Sequence, residues 1–417
     1  MVSFKVQPAA LNAALDVVKI VEPRPFTPQG ASGFLFVVRK DADGKDLCFI
    51  YSRDETRMAR AYCEISDVQG EGAFILPGSI DSFKFVENPI TFTADCVDDV
   101  YTVKYDLGGG AGAERPSFDP RYIGPFDKKL DEATGDKDFP SSILLQALDM
   151  ATAFAADPKD TQKEEHFKTY QIFDDTNEAW AKGDGTLFAA NGTCAFFFSC
   201  EAFKGHGFQI YGGHLPKLMQ FLARASGKVT VKSCPGMTFV VDGNGSVLGY
   251  SQVMAAHTKY ARHKTDHIIL EISKKMATNA IKYMQTEMKG KEDKISFAYD
   301  HAEQTIRFRL LDNVKAASVP VPVKSKEGSQ ERDAAFNMSA NQLLSLFEKT
   351  KAEGVEFRIC VLPATETHKK ERAMFRTVDE FWLDNEGKVV GGSGIAADKR
   401  PEGAFKCFVT RFMPGRD

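Results

Sequence analysis

The eight cysteines, at positions 48, 63, 96, 194, 200, 234, 360 and 407, include no CxxC pair. Their scatter argues against a zinc ribbon and a disulfide framework and fits a reducing compartment. Cationic excess is missing too. The chain has 53 Lys and Arg against 57 Asp and Glu, a net charge of −4. Bulk attraction to nucleic acid is thereby excluded, and any DNA contact must be local. No stretch approaches the ~18 consecutive apolar residues of a membrane span. The start, MVSFKVQPAALNAAL, lacks the basic region of a signal peptide. The expectation is a protein neither exported nor embedded.

Signatures of catalysis are equally sparse. No GxSxG elbow is present, and no Cys or Ser pairs with a His and an acid at a recognisable spacing. The Gly-rich DLGGGAGAERP, 106–116, matches neither GxGxxG nor GxxxxGK[ST] and follows an alternating strand, so it reads as a hairpin. His263 and His267 lie four apart, a spacing for metal on a helix, but in an expected linker with no third ligand near. Cys194 reads as a small buried hydrophobe, and Asn191-Gly192-Thr193 as a turn rather than a glycosylated sequon. No enzyme activity, cofactor or metal is expected.

What the chain does contain is repetition. Leu11, Ala14, Leu15 and Val18 stand at i, i+3, i+4 and i+7, the stripe of an amphipathic helix. Adding 133 to each gives Leu144, Ala147, Leu148 and Ala151, and adding 133 again gives Ala277, Ala280, Ile281 and Met284. A second element recurs as an apolar strand, a break and a short helix, headed by Phe74, Phe208 and Phe336, at intervals of 134 and 128. Strands fill the space between, with turns expected at Asp43-Gly44 and at Gly183 to Gly185. The unit is therefore helix, strands, helix, strands. At 417 residues, and with domains of roughly 100–150 residues, about three units are expected: 1–126, 127–259 and 260–417. The charged FDKKLDEATGDKD, 126–138, and KYARHKTDH, 259–267, read as connectors, and the long polar insertions of the third unit as surface loops. An apolar strand at Cys407 to Phe412, so near the end, implies a docked carboxyl terminus that forms part of a binding surface.

The whole pattern resembles the bacterial DNA polymerase III beta subunit, the sliding clamp. The likeness rests on FKVQPAALNAAL, on EPRPFTPQGASGFLFVV with Arg24-Pro25, and on FILPGSIDSFKFV, ERPSFDP, LFAANGTCAFFFS, FNMSANQLLSLF and the terminal FVTRFMPGRD. The resemblance implies an α+β fold of three clamp domains, with helices facing a central hole and antiparallel sheets outside, in a head-to-tail homodimer. It implies a sliding clamp, or processivity factor, that encircles double-stranded DNA without reading sequence and tethers the replicative polymerase and clamp loader by short linear motifs. The location implied is cytoplasmic and nucleoid-associated. A monomeric clamp-fold adaptor is the alternative.

The residues implied follow in three sets. The DNA-facing set is Arg24, Lys84, Lys217, Arg224, Lys274, Lys275, Lys282 and Lys349. The partner-peptide groove would involve Ala190, Gly192, Thr193, Cys194, Ala195, Asn337, Ala340, Phe412, Met413, Pro414 and Arg416. The dimer interface would join Tyr101, Val103, Tyr105 and Leu107, on an expected edge strand, to Ile281, Tyr283 and Met284. The groove departs from the family: Thr-Cys-Ala replaces His-Arg-Leu, and Gly415 and Asp417 stand where Met and Leu are usual.

Overall fold

The computed structural model describes residues 1–24, 32–78, 80–123, 126–173, 185–192, 194–252, 267–288, 294–310, 318–351, 353–362, 372–392 and 402–414. The chain begins with β1 (Val2–Val6), α1 (Pro8–Val18), β2 (Phe34–Lys40), β3 (Asp46–Arg53), β4 (Arg57–Gln69) and β5 (Gly72–Leu76). After a 3₁₀ turn at Asp81–Phe85 come β6 (Ile90–Val97), β7 (Val100–Gly108), β8 (Ala111–Pro116), α2 (Asp127–Glu132), β9 (Thr134–Pro140) and α3 (Ser141–Ala151). Next are β10 (Thr169–Phe173), β11 (Thr186–Ala190), β12 (Ala195–Cys200), β13 (Phe208–Tyr211), α4 (Leu215–Leu222), β14 (Lys228–Cys234), β15 (Met237–Asp242) and β16 (Val247–Ser251). Then follow β17 (His267–Ser273), α5 (Lys274–Glu287), β18 (Lys294–Asp300), β19 (Thr305–Leu310) and β20 (Ser318–Ser325). The last elements are β21 (Ala334–Ser339), α6 (Ala340–Glu348), β22 (Gly354–Leu362), β23 (Arg372–Leu383), β24 (Val389–Gly392) and β25 (Phe405–Pro414).

Two compact units form. The first is Met1–Ser141 with Gly213–Val253, and the second Ser142–Gly212 with Met254–Asp417. In the first, one antiparallel sheet runs β8-β7-β6-β1-β4-β16-β15-β14-β9, with β2, β3 and β5 joined to it through β4. Pro8 opens α1, where its missing N–H costs nothing. The stripe Leu11, Ala14, Leu15 and Val18 is buried. Phe4, Phe36, Phe74 and Phe92 form an aromatic cluster on β1, β2, β5 and β6, with centroids 5.0 to 6.2 Å apart. Asn12 Nδ2 donates to the Phe83 carbonyl at 3.1 Å, fastening α1 to the 3₁₀ turn.

The segment 126–138, expected as a connector, is instead ordered into α2 and β9. Asp127, the first residue of α2, accepts from Tyr51 Oη at 2.6 Å, Arg60 Nη1 at 2.7 Å and Arg39 Nη2 at 2.8 Å. The Arg39 and Arg60 guanidinium carbons lie 4.3 and 5.6 Å from the Phe49 centroid. Strand β9 joins the sheet by backbone pairing to β14, which demands no apolar side chains. A charged composition therefore conceals one anchored helix and one edge strand.

This unit also carries an acid sensitivity. Burial pushes the Asp127 carboxyl up, but Tyr51, Arg60 and Arg39 outweigh it and hold it below the ordinary range. Asp54 behaves alike: burial is overcome by the Thr56 and Arg57 N–H groups and the Arg57 guanidinium. His214, its Nε2 3.4 Å from Ser251 Oγ, is lowered to about 4 by burial and then by Arg57. A depressed pKa stabilises the fold above the unfolded value and loses that stability as pH falls through the folded one. His214 therefore withdraws about 2 kcal/mol between pH 6.5 and 4.5, and the two carboxylates act lower. Urea midpoints measured across this range should fall, and His214→Gln should remove the upper step. An unchanged upper step in that variant would assign it elsewhere.

In the second unit the sheet order is β13-β10-β11-β12-β25-β23-β22-β17-β20-β19-β18-β21, with β24 beside β23. Leu144, Ala147, Leu148 and Ala151 of α3, and Ala277, Ala280, Ile281 and Met284 of α5, are all buried. Ser273 and Ser339 cap α5 and α6 by accepting from the Met276 and Gln342 N–H groups. The two helices are joined by Gln285 Nε2 to Asn341 Oδ1 at 2.7 Å and by Lys282 to Glu348 at 3.1 Å. The carboxyl-terminal strand β25 is interior to this sheet, paired with β12 on one side and β23 on the other.

Candidate partner groove and nucleic-acid face

Strands β11 and β12 meet in a tight turn. Asn191 N–H donates to the Cys194 carbonyl at 3.1 Å, and Cys194 N–H to Asn191 Oδ1 at 2.8 Å. Gly192 has φ 89°, which favours glycine, and a Cβ there would lie 3.3 Å from the Phe167 ring, a tight approach. Ala190 pairs with Ala195, and Ala195 in turn with Phe412 of β25. On the other side of β25, Met413 pairs with Phe375 and Pro414 with Met374. The sheet thus brings the 190–195 turn and the 412–414 segment to one end of three adjacent strands. Thr193 and Arg416 lie outside the described residues.

Beneath this end lies an apolar cluster of Phe173, Phe188, Ala190, Ala195 and Phe197, with Met374 packed against it. The Phe188 and Phe197 rings are 4.9 Å apart. Phe173, Phe188, Phe197 and Met374 were missed in the sequence, although period-two alternation through Phe188-Ala190 and Ala195-Phe197 marks a single sheet face. Cys194, Ala190 and Ala195 are buried. Ala340 is buried in α6, whereas Asn337 is half-buried in β21. Asn337 follows Phe336, whose ring meets that of Phe375 edge-on at 5.9 Å, and Phe375 is the partner of Met413.

The basic residues have different employments. Lys275 is exposed and Lys217 half-buried. Arg224 Nη1 donates to the Gln220 carbonyl at 3.0 Å. Arg24 Nη2 is 3.8 Å from Glu22, Lys84 is 3.9 Å from Asp16, and Lys282 pairs with Glu348. Lys274 Nζ donates to the Thr350 carbonyl at 2.6 Å, just past the end of α6. Lys349 Nζ donates to the Asp149 carbonyl at 2.6 Å and to Thr152 Oγ1 at 3.0 Å, at the end of α3. Both cations satisfy carbonyls where a helix dipole is negative.

Tyr101, Val103, Tyr105 and Leu107 share one face of β7, with Val103 and Tyr105 buried and the other two half-buried. β7 is not an edge: β6 and β8 flank it, and β8 is the edge strand. Alternation reveals which face of a strand is buried, but not which strand lies beside it. Ile281 and Met284 are buried within their own unit, and Tyr283 is exposed on the opposite side of α5.

No family model and no curated protein matches this chain. Solved structures do match it. The DNA polymerase III subunit beta of Pseudomonas aeruginosa is similar over 100% of both chains, at 14% identity and a TM-score of 0.72. The beta sliding clamp of Caulobacter crescentus covers 100% of this chain and 99% of its own, at 14% identity and a TM-score of 0.72. This chain has the sliding-clamp fold. The DNA polymerase III beta subunit of Thermotoga maritima agrees, at 13% identity, full coverage of both chains and a TM-score of 0.68. The clamp fold here is α+β, built of antiparallel sheets with few helices. Among the described residues no helix is long and apolar enough to cross a membrane, and no group of three or more His, Cys, Asp and Glu side chains is placed to hold a metal.

Proposed function

We propose that this chain is a processivity clamp without catalysis of its own, closing around duplex DNA as a head-to-tail homodimer and holding polymerase and clamp loader by short linear motifs. The whole-chain likeness to sliding clamps carries the reading. The helix stripe recurring at an interval of 133 supports three clamp domains, 1–126, 127–259 and 260–417. The convergence of the 190–195 turn on 412–414 supports a peptide groove there, since an apolar site with a few polar groups suits such a ligand. The proposed place of action is the cytoplasm, on the nucleoid.

Light scattering with nicked circular and with linear DNA tests the reading. A dimer retained on circles and lost from linear ends is expected. A monomer with no topological retention would move the function to an adaptor. Lysine ammonium groups bind phosphates without reading bases, so the double variant Lys217→Glu, Lys275→Glu should weaken retention on circles several-fold, with a much smaller effect on the melting temperature because Lys275 is exposed and Lys217 only half-buried. Lys274→Glu should lower both, because its ammonium also satisfies the Thr350 carbonyl. Wild-type retention in the double variant would place the DNA contacts elsewhere.

A further inference from the structure

Two pairs of cysteines face each other across adjacent antiparallel strands, Cys48 with Cys63 and Cys200 with Cys407. The Cys200 and Cys407 sulfurs are 3.8 Å apart and buried. The strand pairing treats the two pairs differently. Cys200 N–H donates to the Gly185 carbonyl at 3.1 Å, on the β11 side. A strand residue directs its N–H and C=O to the same side, so towards β25 the pair is non-hydrogen-bonded, with Cα atoms about 4.5 Å apart and side chains at their closest. That separation lies within the span of a disulfide.

Cys48 and Cys63 have the opposite setting. Asp54 N–H donates to the Arg57 carbonyl at 2.9 Å, so that pair is hydrogen-bonded. Cys48 lies an even number of residues from Asp54 along an uninterrupted register, which puts Cys48 and Cys63 in the wider class, with Cα atoms about 5.5 Å apart, also within a disulfide's span but with the side chains held farther apart. The Cys63 sulfur is directed at the Cys48 carbonyl, 3.9 Å away.

We propose that Cys200 and Cys407 form a two-thiol oxidation site, closing to a disulfide between β12 and β25 under a small peroxide. The Cys407 sulfur lies 3.8 Å from both the Cys200 sulfur and the Phe405 carbonyl, and its S–H directed at Cys200 draws the Cys200 thiol below its ordinary value and raises that of Cys407. Cys200 is therefore the attacking sulfur. Its thiolate attacks one peroxide oxygen, the O–O bond breaks, water leaves, and a sulfenic acid remains. Cys407 then attacks the Cys200 sulfur, and its proton departs with the hydroxide as a second water. Two thiols lose two electrons and two protons, and one peroxide becomes two waters. Burial restricts the oxidant to something near the size of water. The product would tie the carboxyl-terminal strand to the sheet, whether or not the chain acts as a clamp.

The test is peptide mapping of the full reduced chain after graded hydrogen peroxide, acid quenching and alkylation. A linked Cys200–Cys407 peptide, lighter by two hydrogens and restored by dithiothreitol, is expected, with Cys48 and Cys63 recovered as separate alkylated thiols. Linkage of Cys48 to Cys63 instead, sulfinic acid at Cys200 beside an alkylated Cys407, or no reaction at Cys200 once the exposed Cys96 is oxidised would each overturn the proposal. In Cys407→Ser a dimedone-trappable sulfenic acid should accumulate at Cys200, while Cys96→Ser should leave the linkage yield unchanged.

Discussion

If the proposed groove holds a polymerase peptide, a chain shortened to end at Phe412 should bind that peptide far more weakly, yet keep its fold. Met413 and Pro414 are the last residues of β25, where they pair with Phe375 and Met374 of β23. The rungs from Phe412 back to Phe405 remain, with Cys407, Val409 and Arg411 still buried. A proposed groove whose wall is the terminal segment loses that wall, and affinity should fall at least tenfold, about 1.4 kcal/mol or more. Fluorescence anisotropy with the peptide, beside thermal melts of both chains, decides the matter. Full binding by the shortened chain would sink the groove assignment.

Arg411→Ala should be the most damaging single substitution in the second unit, costing about 3–5 kcal/mol. The side chain is fully buried. Its Nη2 donates to the Lys349 carbonyl at 3.2 Å, at the end of α6, and lies 3.6 Å from Met150 Sδ of α3. The guanidinium stands 5.7 Å from the Phe196 centroid. Burial lowers its pKa to about 10 while the charge of Asp379 opposes the shift, so it remains a cation at neutral pH. Alanine would leave a cavity and an unanswered helix terminus, and would remove a charge that attracts the buried Asp379. Arg411→Lys keeps the charge but not the planar contact with Phe196, and should lie between the two. Urea unfolding at pH 7 measures all three, and a loss below about 1 kcal/mol for alanine would show that the charge is dispensable.

Much of the fold was legible because burial leaves a period in the sequence. The four stripe positions of α1, and their counterparts at intervals of 133 in α3 and α5, are all buried. Phe74 and Phe208 are buried at the heads expected for the second element. In the first unit the short helix that follows is a 3₁₀ turn. The segment 126–138 escaped because its anchor is polar: the partners of Asp127 come from β2, β3 and β4, far away in sequence. A charge alone does not reveal whether it meets water or an arginine.

The candidate sites divide along the same line. Apolar periodicity and the Asn-Gly turn determined, without any coordinates, where the three repeated helices lie, which faces they bury and that the carboxyl-terminal strand is docked. Only the tertiary structure decided that β8 rather than β7 is the edge, that Phe173, Phe188, Phe197 and Met374 underlie the 190–195 turn, and that Lys274 and Lys349 hold helix ends. Periodicity records a residue's own burial, a local property of the chain. Strand neighbours and charge partners are long-range choices, made when the chain satisfies its backbone groups and ions after collapse.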